Sequence, residues 1–154
     1  MGKSRAKIDG DVVGGDKKAV LNIQAHGDAA FSGQGAAYEA LTLCKLPKFE
    51  IGGSVHIITN NQVGFSTDPR DGRSFEHSSD IVKSFGIPVI RVNAADGATT
   101  PETLVRVCRF VIAYWKTYKK DILIDMIGFR KHGHNEVDEP GFTQPEMYKT
   151  IRQA

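Results

Sequence analysis

Two side chains with hard oxygen atoms, Asp28 and Asn61, follow the first two predicted strands of the sequence. Gly27 precedes Asp28, and a glycine lets the backbone come close to a ligand. Carboxylate and amide oxygens suit Mg²⁺, which fills its remaining positions with phosphate oxygens and water. If the two strands are neighbours, these residues predict a magnesium–phosphate site. The alternative is structural: Asp28 caps a helix, and Asn60-Asn61 forms a turn.

Three histidines are further candidates for chemistry. His132 and His134 are separated by one residue, but no cysteine or additional histidine is near in sequence, so a structural zinc site is disfavoured. His26 lies two residues before Asp28. It is interpreted either as a pocket residue or as a strand-end histidine whose hydrogen bonds are satisfied within the fold. No residue is therefore assigned a catalytic role.

An acidic segment follows the histidines, with Glu136, Asp138 and Glu139. The preferred interpretation is a solvated acidic loop rather than a set of catalytic carboxylates. Pairing with Arg130 or Lys131, which would fix the loop, is the next interpretation.

The spacing of apolar residues predicts alternating strands and helices. The clearest helix is capped by Thr99 or Thr100, has Pro101 in its first turn, and carries apolar residues at helical spacing up to Trp115. Strands are predicted at 19–25, 54–59, 87–93 and 121–127, and further helices within 32–43, 80–85 and 145–152. The first strand is predicted to run into a loop at His26-Gly27-Asp28. This alternation is typical of an α/β fold with a mostly parallel sheet and helices on both faces. Ligands of such sheets bind beyond the carboxyl ends of strands, where the polar groups named above fall.

Composition narrows the classes of function. The chain has 154 residues, 40% of them hydrophobic and 25% charged, as in a soluble globular protein. Its net charge of +2 is too small to argue for nucleic acid, and no apolar run approaches the ~20 residues of a membrane span. Cys44 and Cys108 lie in helix-like stretches and are predicted to be buried free thiols. Residues 1–18 lack the apolar segment of a secretory signal and are interpreted as a polar N-terminal segment before one domain over 19–154.

Four segments carry a family resemblance in the expected order: HGDAAFSGQG, NNQVGFSTDPR, RKHGHNEVDEP and FTQPEMYKTIR. Gly27-Asp28-Ala29 followed by Asn60-Asn61 resembles the thiamine-diphosphate signature, Gly-Asp-Gly followed by Asn-Asn, with Ala29 replacing the second glycine. Together the segments are similar to E1 components of 2-oxoglutarate dehydrogenase complexes, in the thiamine-diphosphate-dependent 2-oxo acid dehydrogenase family. The resemblance covers nearly the whole chain.

The resemblance implies a thiamine-diphosphate-binding fold of which this chain holds the diphosphate half, as part of a longer protein in that family's arrangement. It implies thiamine diphosphate and Mg²⁺ as cofactors. The implied metal ligands are the side chains of Asp28 and Asn61 and the backbone carbonyl of Val63. The implied cofactor contacts are Asp28, Ala29, Ala30, Asn61, Gln62 and His134.

The resemblance also implies an activity and partners. These are oxidative decarboxylation of 2-oxoglutarate in the tricarboxylic acid cycle and succinyl transfer to the lipoyl group of E2, with E3 in the same complex and a homodimer in the full-length protein. The pyrimidine half of the cofactor site belongs to another domain, so the isolated chain is expected to be inactive. The implied compartment is the mitochondrial matrix, or the cytoplasm of a bacterium.

Two other functions remain open at this point. Residues 49–56 (FEIGGSVH) are similar to the E1 of 2-oxoadipate dehydrogenase, an enzyme of lysine degradation, whereas residues 65–70 (FSTDPR) resemble the oxoglutarate branch. A non-catalytic remnant or assembly module of the same fold is the alternative from another functional class.

Overall fold

A four-stranded parallel sheet is the centre of the computed structural model, which describes residues 20–95 and 101–153. The strands are β1 (Asn22–Gly27), β2 (Ser54–Asn60), β3 (Val89–Asn93) and β4 (Ile122–Ile127). They lie in the order β1-β2-β4-β3, and every neighbouring pair is parallel. The predicted α/β class with a parallel sheet is confirmed.

Helices fill the connections between the strands. Their bounds are α1 (Asp28–Gly33), α2 (Gly35–Leu43), α3 (Pro69–Gly72), α4 (Pro101–Tyr118) and α5 (Pro145–Gln153). Two segments, Ser78–Phe85 and Pro140–Phe142, are 3-10 helices. The predicted helical segments are therefore present, but the cap predicted at Thr99 or Thr100 lies outside the described residues.

The connection after β1 differs from the prediction. We expected a loop from His26 to Asp28, but His26 and Gly27 remain in register with Ile58 and Thr59 of β2. Asp28 is already the first residue of α1, and Gln34, with extended backbone angles, separates α1 from α2. The strand therefore delivers Asp28 directly into a helix, because pairing with β2 extends β1 beyond its apolar run.

Apolar side chains cover both faces of the sheet, as the two-residue period of a strand requires. One cluster lies under α1, α2 and the first 3-10 helix, and the other lies under α4. The first comprises Phe31, Leu41, Ile58, Val82, Ile87 and Leu123; the second comprises Val55, Val92, Val111, Ile122 and Ile124. Trp115 anchors α4, since its buried indole Nε1–H donates to the Gly52 carbonyl at 2.7 Å. Helices on both faces are thus confirmed.

The two cysteines are free, as predicted, but only Cys44 is partly buried. Cys108 is exposed on α4, so its predicted burial was wrong; helical spacing placed it at the margin of the apolar stripe rather than at its centre. Within the described ranges, each helix is either too short or too polar to cross a membrane.

Candidate metal site

Sheet register brings Asp28 and Asn61 together. Gly27 of β1 pairs with Thr59 of β2, and the Thr59 hydroxyl donates to the His26 carbonyl at 2.9 Å. The two strands therefore end side by side at the carboxyl edge of the sheet. Asp28 is only 2% exposed and directly follows Gly27, whose partner Thr59 lies two residues before Asn61, and the Asn61 backbone N–H is among the groups that lower the pKa of the Asp28 carboxyl group. The two residues predicted to act together are neighbours in space.

Burial dominates the electrostatics of Asp28. It raises the pKa of the carboxyl group, because desolvation disfavours the charged form. Hydrogen bonds from the backbone N–H groups of Asp28, Ala29 and Asn61, and the charge of Arg73, act in the opposite direction without cancelling the effect. The ionised carboxylate is therefore incompletely compensated within the chain, and this position favours an additional cation.

The turn after β2 carries the other two predicted oxygen donors, the Asn61 side chain and the Val63 carbonyl. Asn61 Oδ1 accepts the Val63 backbone N–H at 3.0 Å, which leaves one lone pair of that oxygen available. Gln62, at the centre of the turn, has a positive φ of 61°. Its side-chain amide donates to the Gly128 carbonyl at 3.4 Å, so it fixes the turn against the end of β4.

These donors suit a hard cation that also has an external anionic ligand. No cluster of three His, Cys, Asp or Glu residues able to hold a metal occurs in the described parts of the chain. The set predicted at Asp28 is instead a carboxylate, an amide oxygen and the carbonyl of Val63. Three oxygens leave half of an octahedron for water and phosphate oxygens, which is the usual coordination of Mg²⁺ beside a phosphorylated ligand.

Ala29 lies against the same turn. A Cβ built at Gly64 would be 3.1 Å from the Ala29 Cβ, so the start of α1 and the turn approach closely at a glycine. Ala30 is directed along α1, where its carbonyl accepts the Gln34 backbone N–H at 2.8 Å. Ala29 therefore contacts the turn, whereas this hydrogen bond of Ala30 lies at the end of α1.

His134 packs against Phe65, which follows Asn61 in the loop after β2. The two rings pack edge to face with centroids 5.1 Å apart, and Phe65 has a positive φ of 58°. The Arg130 guanidinium donates to the His134 carbonyl at 2.9 Å and so holds the backbone of the loop that carries His134. His132 is exposed. Of the two histidines, His134 is thus the one joined to the segment that carries Asn61.

His26 is directed to another part of the protein. Its Nε2 lies 3.3 Å from His56 Nδ1, and His56 Nε2 lies 3.4 Å from the Asp121 carboxylate. Burial, followed by the proximity of His56, lowers the pKa of His26. His56 and Asp121 line a cavity of about 430 Å³ at the amino ends of the strands. These contacts favour the interpretation of His26 as a histidine satisfied within the fold.

The acidic segment makes mainly local contacts. Glu136 is exposed, and Asp138 accepts the Asn135 backbone N–H at 3.0 Å. Glu139 accepts the Gly141 backbone N–H and lies 3.5 Å from the Arg152 guanidinium. The preferred interpretation as a solvated acidic loop agrees with these contacts. Arg152, rather than Arg130 or Lys131, is the basic partner of Glu139.

Two residues of the site were missed by the sequence analysis. Arg73, directly after α3, places Nη1 3.8 Å from Asp28 Oδ2. Asp125 of β4 is fully buried and accepts hydrogen bonds from the Asn60 side-chain amide at 3.1 Å and the Ser79 hydroxyl at 2.7 Å. Asp125 could have been found in the sequence, because it is a charged residue inside an otherwise apolar strand. For Arg73 the sequence offered only its place in a long polar loop, and such loops are often functional.

Comparison with known proteins identifies a family. The sequence profile described as "Dehydrogenase E1 component" matches residues 7–154. A "Probable 2-oxoadipate dehydrogenase complex component E1 homolog" of Dictyostelium discoideum is 51% identical over 98% of this chain and 16% of its own length. The "2-oxoglutarate dehydrogenase, mitochondrial" of Caenorhabditis elegans is 44% identical over 100% of the chain and 14% of its own length. The "2-oxoglutarate dehydrogenase E1 component" of Bacillus subtilis is 45% identical over 89% and 14%. The chain thus spans about one-seventh of the length of these relatives.

Proposed function

Because this chain belongs to the dehydrogenase E1 component family, we propose that it binds Mg²⁺ and the diphosphate end of thiamine diphosphate. One observation carries the proposal: the buried Asp28 carboxylate meets Asn61 at the carboxyl edge of a parallel sheet. Ligands of open parallel sheets bind at this edge.

The metal ligands in this proposal are Asp28, Asn61 and the Val63 carbonyl. Burial of Asp28 keeps water from competing for the carboxylate, and the hydrogen bond from the Gln62 side chain to the Gly128 carbonyl fixes the turn that carries Asn61 and Val63. The three oxygens neutralise and orient the metal without taking part in bond breaking. Ala29, Ala30, Gln62 and His134 are proposed to contact the cofactor around this centre.

The proposed reaction is that of a 2-oxo acid dehydrogenase E1. Members of the family depend on thiamine diphosphate, which when bound supplies the nucleophilic carbon and the electron sink for decarboxylation of a 2-oxo acid. This chain's residues bind and orient the diphosphate end, so loss of Asp28 is expected to weaken cofactor binding before it alters a chemical step.

We assign 2-oxoglutarate as the preferred substrate, with the succinyl group passing to the lipoyl group of E2 in the tricarboxylic acid cycle. The names of the worm and Bacillus relatives support this assignment. E3 and a second E1 subunit are the further proposed partners. The proposed compartment is the mitochondrial matrix, supported by the word "mitochondrial" in the name of the worm protein, or the cytoplasm for a bacterial source.

A second candidate substrate is 2-oxoadipate. It is favoured by the 51% identity to the Dictyostelium protein, which exceeds the identities to the worm and Bacillus proteins. Turnover of both acids by the full-length protein distinguishes the two. A kcat/KM for 2-oxoadipate above that for 2-oxoglutarate would reverse our assignment.

A non-catalytic module of the same fold makes a different prediction. It requires that the full-length protein decarboxylate neither acid even when metal and cofactor bind. The 154-residue chain by itself is expected to be inactive in either case, since it corresponds to 14–16% of relatives that carry the activity in their names. Decarboxylation by the isolated chain would contradict that expectation.

Calorimetric titration of the full-length protein with Mg²⁺ and thiamine diphosphate tests the site. Changes in groups that only support metal ligands cost about 10–100-fold in affinity, so Asp28→Asn is expected to cost more than that. Asp71→Asn, an exposed position on α3 with the same change in charge, is the matched control and should bind as the wild type does. Equal cofactor affinity in Asp28→Asn and wild type would refute the metal assignment.

A further inference from the structure

Arg73 is a nearly buried cation with incomplete hydrogen bonding. Its side chain is only 9% exposed, and Nη2 donates to the Glu76 carbonyl at 3.3 Å. Its Nε is buried and has no hydrogen-bond partner. A guanidinium carries five N–H donors, and buried donors are normally paired. The hydrogen bonds of Arg73 therefore do not account for its buried position.

The charge of Asp28 explains this position. Nη1 is 3.8 Å from Asp28 Oδ2, which is within ion-pair range but too long for a hydrogen bond. The two groups lack the bidentate geometry that an arginine and a carboxylate adopt when they are permanent partners. The positive charge of Arg73 thus offsets the negative charge of the buried carboxylate without a hydrogen bond to it, and its Nε–H remains unpaired.

A divalent cation at Asp28 changes this balance. The metal would take over the charge of the carboxylate and would repel a guanidinium held at the same oxygen. A diphosphate carried by the metal would offer anionic oxygens next to the unused donors of Arg73, and planar guanidinium groups recognise phosphate well.

From this geometry we propose that Arg73 is an exchangeable counter-cation. It neutralises Asp28 before metal binds and moves to an anionic diphosphate group when metal arrives. The consequence is coupled binding: the metal alone competes with Arg73 and binds weakly, whereas metal and diphosphate together release the competition. This inference rests on the proposed function, because it takes Asp28 as a metal ligand.

The test measures binding rather than activity, in the full-length protein. Mn²⁺ binding is followed by electron paramagnetic resonance, with and without inorganic pyrophosphate, in wild type and Arg73→Gln. Glutamine is neutral and can still donate to the Glu76 carbonyl. We expect Mn²⁺ alone to bind about tenfold more tightly to Arg73→Gln, and pyrophosphate to enhance Mn²⁺ binding less than in wild type, within the 5–150-fold range of typical couplings.

Arg70→Gln is the matched control, since Arg70 is exposed on α3 and loses the same charge. Arg70→Gln should bind Mn²⁺ as the wild type does. An equal increase in Mn²⁺ affinity in both variants would show that net charge alone causes the effect, and it would overturn the inference. Unchanged or weaker Mn²⁺ binding in Arg73→Gln, with binding still lost in Asp28→Asn, would also overturn it while leaving the proposed function intact. Mn²⁺ binding that survives Asp28→Asn would instead refute the function.

Crystal structures of the wild type with and without Mn²⁺ and pyrophosphate provide a second measurement, which remains decisive if Arg73→Gln does not fold. We expect Arg73 Nη1 to leave Asp28 and contact a pyrophosphate oxygen in the loaded protein. A guanidinium that remains within 4 Å of Asp28 Oδ2 while Asp28 binds the metal would contradict the exchange.

Discussion

Replacing Asp125 by alanine is expected to destabilise the protein by about 2–6 kcal/mol. Asp125 has no solvent exposure and accepts hydrogen bonds from Asn60 and Ser79 at 3.1 and 2.7 Å. Each buried polar group left without a partner costs about 1–3 kcal/mol. Arg91, whose Nε lies 3.5 Å from the carboxylate, adds little because its side chain is 31% exposed. The estimate is thus the sum for the Asn60 amide and the Ser79 hydroxyl.

Asp125→Asn is the informative companion variant. An asparagine oxygen can accept from Asn60, and its amide can donate to the Ser79 hydroxyl oxygen, so Asn60 keeps its partner and Ser79 loses only the acceptor of its O–H. The charge and that one acceptor are lost, and the expected cost falls to about 1–3 kcal/mol. A large cost for alanine with a small cost for asparagine would identify hydrogen bonding, rather than charge or volume, as the reason for this buried acid.

Urea unfolding followed by the fluorescence of Trp115 provides the assay. This is the single tryptophan of the chain, and its buried indole is hydrogen-bonded to Gly52, so its emission reports the packing of α4 on the sheet. The unfolding free energy is read from the midpoint and slope of the transition. An Asp125→Ala variant within about 0.5 kcal/mol of wild type would refute the reasoning, since surface-like changes have that size.

Two further predictions concern stability. Gly53→Ala is expected to prevent folding or to cost several kcal/mol, since Gly53 has a φ of +81° and a Cβ there would lie 2.4 Å from the Lys120 carbonyl carbon. Gly33→Ala is the control, because nothing lies within 4 Å of a Cβ at that position. Comparable soluble yields and melting temperatures of the two variants would contradict the expectation. Asp80→Asn is expected to lower stability at neutral pH. Burial acts to raise the pKa of Asp80, but its hydrogen bond with Lys83 and further contacts lower it below the ordinary 3.8. The stability that Asp80 contributes is therefore present above that value and is lost as pH falls through the folded pKa. Melting curves of variant and wild type should converge in acid, and a constant difference at every pH would contradict this sign.

Much of the fold was predictable because its signals are local. The apolar runs at β2 and β4 and the helical spacing of α4 were identified within one or two residues of their observed bounds. The oxygen donors Asp28 and Asn61 were also predictable, since they follow two strands and belong to ordered motifs. Their chemistry and order in the sequence do not depend on the details of packing.

Contacts between distant segments were decided only by the tertiary structure. Pairing with β2 extended β1 to Gly27 and made Asp28 the first residue of a helix instead of part of a loop. The meeting of Arg73 with Asp28 joins residues on separate connections, and no periodicity in the sequence reports it. Sequence alone thus determined which groups could do chemistry and which strands would carry them. Only the register of the sheet decided which charges share a buried site, because desolvation and Coulomb energies depend on distances that the order of residues does not contain.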